Sequence, residues 1–372
     1  MEKVLSSHVG VKINEWYKMI RQFSVPDAEI LKAEVEQEIE RMEEDQDLLI
    51  YYQLMCFRHQ LMLDYIKPSE KRSPSVSDLV DKIENSNHQL SGMLQYYNAF
   101  FRGMHEFSKK EYVQAIQYYK IAERQLALVV DDIEQAEFHF KVAEAYYIMK
   151  QTHVSMHHII KALEIYDQYE LYKIRKVQCL FVIAGNYDDF KRYEKSLIHL
   201  NKAYSIAEEI ADNRLISKVL LNIGNNYEKK QDYAKAIQYY QESLEISEDG
   251  MDDVKSVIYV NLCWALYKTG EYDEASKLVD KALKLVSHNE NPHEILLIRS
   301  IRTTYESNDE EEIQAMLQTF EKKQLFVFVE EFTKNLAVIH EKRGKFEKAT
   351  EYYRKAFQAQ HNIQKGECLY EC

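Results

Sequence analysis

The sequence predicts an all-α protein: an N-terminal three-helix bundle joined by a linker helix to a right-handed superhelix of about seven TPR-like repeats. Three observations carry that prediction. The 372 residues include only 9 Gly and 4 Pro, so few positions interrupt a helix. Leu, Glu, Lys, Ala and Gln, all good helix formers, are abundant. Beyond the first quarter of the chain, a pattern of small and large side chains returns every 39 to 41 residues.

The repeat unit is a small residue, a large apolar or aromatic residue four positions on, and a second small residue three further. It occurs as Ala115-Tyr119-Ala122, Ser155-Ile159-Ala162, Ser196-Leu200-Ala203, Ala236-Tyr240-Ser243, Ala275-Val279-Ala282 and Ala349-Tyr353-Ala356. The gap of 74 residues before the last copy holds one degenerate unit over roughly 290–325. Twelve residues before each copy stands another slim residue: Gly103, Ala143, Ala184, Gly224, Cys263 and Ala337. Aromatics follow three later at Tyr146, Tyr187 and Tyr227. Two antiparallel helices approach closely only where small side chains face each other and large ones fill the neighbouring holes. DYAKA, EYDEA and GKFEKA mark the tight turns inside the pairs. Only Pro292 lies beyond Pro74, so these turns are expected to rest on Gly, Asn and Asp.

Residues 1–66 do not fit the repeat. One helix is predicted over roughly 10–22, a second starts at the Pro26-Asp27 signal and runs to about Glu43, and a third occupies roughly 46–66. KPSEKRSPSVSD (67–78) reads as a linker, followed by a connecting helix over about 78–108. The predicted domains are therefore a bundle at 1–66, a linker and connecting helix at 67–95, and the TPR domain at 96–372. A helix-turn-helix reading of the bundle is disfavoured, because the third helix is acidic at its start and aromatic along its length. A net charge of −13 also argues against a nucleic-acid-binding face.

Five scattered cysteines without a CxxC pair suit reduced thiols in a cytoplasmic protein, and no apolar run approaches a membrane span. His153, His157 and His158 include an i,i+4 pair but lack an evident third metal ligand. No Gly-rich phosphate loop, GxSxG or HExxH motif occurs.

Three runs point to a family: INEWYKMIRQFSVPDAEIL (13–31), MEEDQDLLIYYQLMCFRHQLMLDYI (42–66) and AEFHFKVAEAYYIMKQTHVSM (136–156). The chain resembles, over its whole length, the Rap proteins of bacilli. These are aspartate phosphatases or binding proteins of response regulators, controlled by secreted and re-imported Phr peptides. The likeness is nearest to members acting on the sporulation phosphorelay. The resemblance makes Gln46, in the intact run Glu44-Asp45-Gln46-Asp47-Leu48, the catalytic residue. It makes Glu44, Asp45, Leu49 and Phe57 receiver contacts. From 46 to 57 is eleven residues, about three helical turns, so Gln46, Leu49 and Phe57 are expected on one stripe. The same resemblance assigns Asp189 to an Arg of the peptide and Asn222, with Asn225, to the peptide backbone. No cofactor of its own is expected, the divalent metal (Mg) being supplied by the receiver. Two other classes stay open: a non-catalytic protein that occludes a regulator's DNA-binding domain, and a plain TPR scaffold. The intact Gln46 motif favours the enzyme, and the separate bundle disfavours the scaffold.

Overall fold

Helix after helix runs antiparallel to its neighbour, and the reasons repeat with the sequence. The computed structural model describes residues 4–66, 79, 90, 92–288, 292–307 and 309–365. The linker predicted at 67–78 lies outside the described residues. Among those described there are seventeen α-helices. The first three are α1 (Ser6–Gln22), α2 (Val25–Ile39) and α3 (Gln46–Ile66). Seven pairs follow: α4 (Gly92–Ser108) with α5 (Tyr112–Glu123), α6 (Asp132–Ile148) with α7 (Thr152–Tyr166), and α8 (Lys173–Asp189) with α9 (Tyr193–Ile210). Next come α10 (Asn213–Lys229) with α11 (Tyr233–Ile246) and α12 (Asp252–Thr269) with α13 (Tyr272–His288). The degenerate unit is α14 (Pro292–Arg302), a π-turn at Thr303–Ser307 and α15 (Glu310–Lys322), and the last pair is α16 (Phe326–Lys342) with α17 (Phe346–Lys365). Among the described residues no helix is long and apolar enough to cross a membrane.

The predicted small positions sit where the helices touch. Ala115, Ser155, Ser196, Ala236 and Ala275 are all fully buried. A Cβ added at Gly103 would collide with the Tyr119 ring, and one at Gly224 with the Tyr240 ring. In these two repeats the large residue therefore lies directly over the small residue of its partner helix, which is the close packing the spacing implied. Burying Leu200, Val279 or Ile159 in this way stabilises the fold by about 1.5–3 kcal/mol per side chain before entropy is counted. The final copy differs: Tyr352 is buried while Tyr353 is 41% exposed. No helix follows α17 among the described residues to cover the outer side of that position.

The turns also differ from expectation. Among the described residues, the left-handed residue that closes the first helix of a pair is Lys110, Lys150, Lys191 or Gln231, and glycine at Gly270 and Gly344. The next residue's N–H then reaches back across the helix end: Glu111 to Glu106 O, Gln151 to Tyr146 O, Arg192 to Tyr187 O and Asp232 to Tyr227 O, at 2.8 to 3.0 Å. These bonds satisfy carbonyls the helix leaves open. They are made by the backbone, so a long polar side chain is accepted at a left-handed cost of roughly 1–2 kcal/mol.

Two compact units divide the chain, Met1–Phe138 and His139–Cys372. The bundle was expected to end as a separate domain near residue 66. Within the first unit, however, α3 packs on α4: Phe57 meets Phe101 edge-on with ring centroids 6.2 Å apart. Charges are buried here as well. Arg21 reaches Glu134 Oε2 at 3.4 Å and Asp131 Oδ2 at 2.7 Å, and Arg58 reaches Glu137 Oε1 at 3.2 Å. The hydroxyls of Tyr17 and Tyr96 donate to Glu134 at 2.5 and 3.0 Å. These contacts join α1, α3 and α4 to the first turns of α6. In the second unit the polar contacts between helices use smaller groups, as where Ser217, Ser243 and Ser247 hydroxyls cluster at 2.9 Å.

Candidate functional site

The first unit presents Gln46 at the open end of α3. Gln46 is the first residue of that helix and its side chain is exposed. Asp45 precedes it and its Oδ1 accepts the Leu48 N–H at 3.0 Å, a cap that starts the helix. The Gln46 Nε2 donates to Glu44 Oε1 at 3.1 Å. The amide carbonyl is thus free to face a partner, because Glu44 holds the other end of the group. Leu49, one turn on, is half-buried.

Phe57 departs from the expected stripe. Its side chain is fully buried, against Phe101 and, with ring centroids 6.0 Å apart, His105 of α4. Gln46 and Phe57 do share a helical face, but α4 covers that face three turns in. The receiver-contact assignment of Phe57 therefore does not describe this arrangement, in which it is core.

The second unit places Asp189 and Asn225 in a set of charges that no local pattern announced, with Asn222 one turn before Asn225 on the same helix. Asp189 ends α8. Its Oδ1 accepts from Lys150 Nζ at 2.8 Å and Lys229 Nζ at 3.3 Å. Its Oδ2 is buried without a hydrogen-bond partner among the described residues. Burial alone would lower the Lys229 pKa, but Tyr147, Asp189 and Asp188 outweigh it and leave it raised. Asn222 donates to Lys218 O of its own helix at 2.7 Å. The Asn225 Oδ1 accepts Asn261 Nδ2 at 2.8 Å and lies 2.9 Å from the Tyr240 hydroxyl. Beside them Lys268 Nζ reaches Glu228 Oε1 at 3.2 Å. Glu331 of α16 belongs to the same space. Burial and then Glu228 raise its carboxyl pKa, opposed by Lys268, Lys150 and Lys229. Its side chain nevertheless reaches solvent.

Asp188, paired with Asp189 in the sequence, has a different task. It is buried, accepts Asn226 Nδ2 at 2.6 Å, and burial raises its pKa. Asn226 donates in turn to Tyr193 O at 3.0 Å. This pair ties α8 to α10, and its position one repeat after Asn186 is the signal that could have found it. Among the histidines, His158 faces His139, with their Nδ1 atoms 2.9 Å apart, and not a metal-type cluster with His153. Among the described residues no group of three His, Cys, Asp or Glu is placed to hold a metal ion.

Comparison with known proteins decides what these features belong to. The N-terminal model "response regulator aspartate phosphatase H, N terminal" matches residues 3–64, and tetratricopeptide models match 179–249, 215–288 and 335–362. Response regulator aspartate phosphatase H of Bacillus subtilis (strain 168) is 51% identical over 99% of both chains. The chain belongs to the Rap family. A solved Rap protein complexed with competence and sporulation factor superposes with a TM-score of 0.90 at 38% identity, covering 97% of this chain and 99% of that one. The apo form of RapI, at 36% identity and with 96% and 99% covered, gives 0.65. The Rap fold described here thus superposes better on the peptide-complexed relative than on the peptide-free one.

Proposed function

We propose that the chain is a response regulator aspartate phosphatase. It hydrolyses the aspartyl phosphate of a response regulator in the sporulation phosphorelay, and a secreted, re-imported Phr-type peptide inhibits it by binding at Asp189, Asn222 and Asn225. The observation that carries this reading is the exposed Gln46 amide, set at the start of α3 by the Asp45 cap and held at one end by Glu44. Hydrolysis of an acyl phosphate proceeds by in-line attack of water. The receiver brings the phosphorylated carboxylate, a lysine and a divalent ion such as Mg; the chain needs no cofactor of its own. What remains is to orient the water, and a neutral amide whose carbonyl accepts from it does that without changing charge.

Asp189 supplies the recognition element for the peptide. An Arg guanidinium pairs strongly with a carboxylate, and the Oδ2 of Asp189 has no hydrogen-bond partner among the described residues. The chain acts in the cytoplasm, where re-imported peptide meets it, and binds no nucleic acid.

Phosphotransfer to a labelled receiver of the sporulation phosphorelay tests both halves. Gln46→Ala should lose receiver dephosphorylation by about a hundredfold. Asp189→Asn should keep the basal rate but lose inhibition by competence and sporulation factor. Wild-type speed in Gln46→Ala would sink the catalytic reading and leave the alternative, non-catalytic sequestration of a regulator's DNA-binding domain.

A further inference from the structure

Gln46 is useful only if its amide stays where the water must sit, yet it follows a turn with little core of its own. Residues 40–45 connect α2 to α3. Among the described residues, the hydrogen bonds that tie this turn to another element go to Val4 and Ser6. The Val4 N–H donates to Arg41 O at 3.1 Å and the Glu43 N–H to Val4 O at 3.1 Å, forming a short parallel bridge. The Ser6 N–H donates to Glu43 Oε1 at 3.3 Å, with the Ser6 hydroxyl 3.5 Å from the same oxygen.

Three consecutive acids therefore have three tasks. The N-cap position of α1 is Leu5, which offers no side-chain acceptor. The Glu43 carboxylate fills that role from 37 residues away, placing an anion at the positive end of the helix dipole. Asp45 caps α3. Glu44, between them, holds the Gln46 amide. Helix α1 is itself fixed, since Val9, Ile13, Trp16 and Ile20 are fully buried. Contacts thus run from a helix anchored in the core to Glu43, and the backbone carries on from Glu43 through Glu44 to the residue that orients the water.

We propose that Glu43 is a positioning residue for Gln46, acting through the N-terminus of α1 and the Val4 bridge. The proposal rests on the reading of Gln46 as the water-orienting group. Glu43 is exposed, so replacing it leaves the core of the bundle intact. A displacement of about 1 Å at a catalytic group costs up to roughly a hundredfold in rate.

The test measures steady-state dephosphorylation of the phosphorylated sporulation receiver, thermal unfolding, and the Kd for competence and sporulation factor. It compares wild type with Glu43→Ala, Glu43→Gln, Val4→Pro and Gln46→Ala. Val4→Pro removes the N–H that donates to Arg41 O. Glu43→Ala and Val4→Pro are expected to lower kcat roughly ten- to hundredfold while KM and peptide Kd stay within about twofold. Glu43→Gln should recover most of kcat, because an amide oxygen still accepts from Ser6. If Glu43→Ala and Val4→Pro keep wild-type kcat while Gln46→Ala is inactive, the positioning role is overturned and the catalytic reading stands. If Gln46→Ala is fully active, both fall. A rise in KM alone, or a kcat loss that Glu43→Gln does not restore, also overturns the positioning role.

Discussion

Unit Met1–Phe138 pairs full charges where both partners are buried, whereas unit His139–Cys372 keeps its inter-repeat ion pairs, such as Lys150 with Asp189 and Lys268 with Glu228, partly exposed and fills its buried helix contacts with hydroxyls, amides and neutral imidazoles. In the first, Arg58 and Glu137 are 2% and 1% exposed and pair at 3.2 Å, so the Arg58 charge relies on the Glu137 carboxylate. In the second, Ser155 donates to Ala143 O at 2.9 Å, Asn186 to Ser155 at 2.9 Å, and the serine cluster at 217, 243 and 247 satisfies itself. The difference teaches how each unit responds to damage. An ion pair is worth little against apolar residues of the same shape, but half an ion pair is very costly. A chain of hydroxyls loses about 1 kcal/mol per missing bond. The unit that carries Gln46 is thus held by contacts that are either all made or strongly penalised. The repeats are held by many smaller contacts, additive only where they lie far apart.

The largest expected effect breaks the first of these arrangements. Glu137→Leu alone leaves the Arg58 guanidinium buried and unpaired, and should cost about 3–5 kcal/mol in urea unfolding. Arg58→Met together with Glu137→Leu should recover most of that loss. A double variant as unstable as the single one would show that the pair contributes net stability, and the contrast between the units would be lost.

An intermediate effect tests the neutral side of the comparison through pH. Burial pushes the His139 pKa down to about 4 and that of His158 to about 3, with Lys161 and His157 nearby adding to the depression. Folded histidines with lowered pKa values bind fewer protons than unfolded ones below about pH 6.5. Both forms are neutral above that, so no stability is lost there. As pH falls from 6.5 toward 4 the unfolded state gains protons that the folded state refuses, and stability drops. Between pH 7 and pH 5 the loss should be about 2 kcal/mol per histidine by linkage. Urea midpoints for wild type and for His139→Leu with His158→Leu check it. The double variant should keep only the slope due to other groups, His59 among them, whose pKa burial likewise lowers to about 4. An unchanged slope would mean the pair is protonated in the fold.

What could be read in advance follows the range of the interaction. The small-and-large pairs recur at a fixed period, so Gly103 under Tyr119 and Gly224 under Tyr240 were legible as contacts before any helix was placed. Glu137 and Arg58 are 79 residues apart and share no pattern, so their pairing was invisible. Phe57 marks a limit of both spacing and resemblance: spacing fixes which face of α3 it occupies but not which element covers that face, and its receiver-contact role rested on resemblance, while here it packs on Phe101. Gln46 was legible only by resemblance, since a helix-start glutamine carries no signal of its own. Glu43 carries no sequence signal either, because its partner, the start of α1, lies 37 residues away.

The smallest effect concerns a turn where the second unit's backbone and its candidate peptide site coincide. Lys150 closes α6 with φ at 56°, a left-handed conformation that glycine adopts freely, and its Nζ holds Asp189 at 2.8 Å. Lys150→Gly relieves the strain of a Cβ there but adds unfolded-state entropy, two terms of about 1 kcal/mol and opposite sign. Unfolding should therefore shift by no more than about 0.5 kcal/mol. Lys150→Val keeps the Cβ and adds a branch that this conformation rejects, so it should be destabilised by about 1–2 kcal/mol. Both variants remove the ammonium from Asp189 equally. Equal stability losses in the two would assign the cost to the missing ion pair, whereas a gap between them assigns it to the backbone.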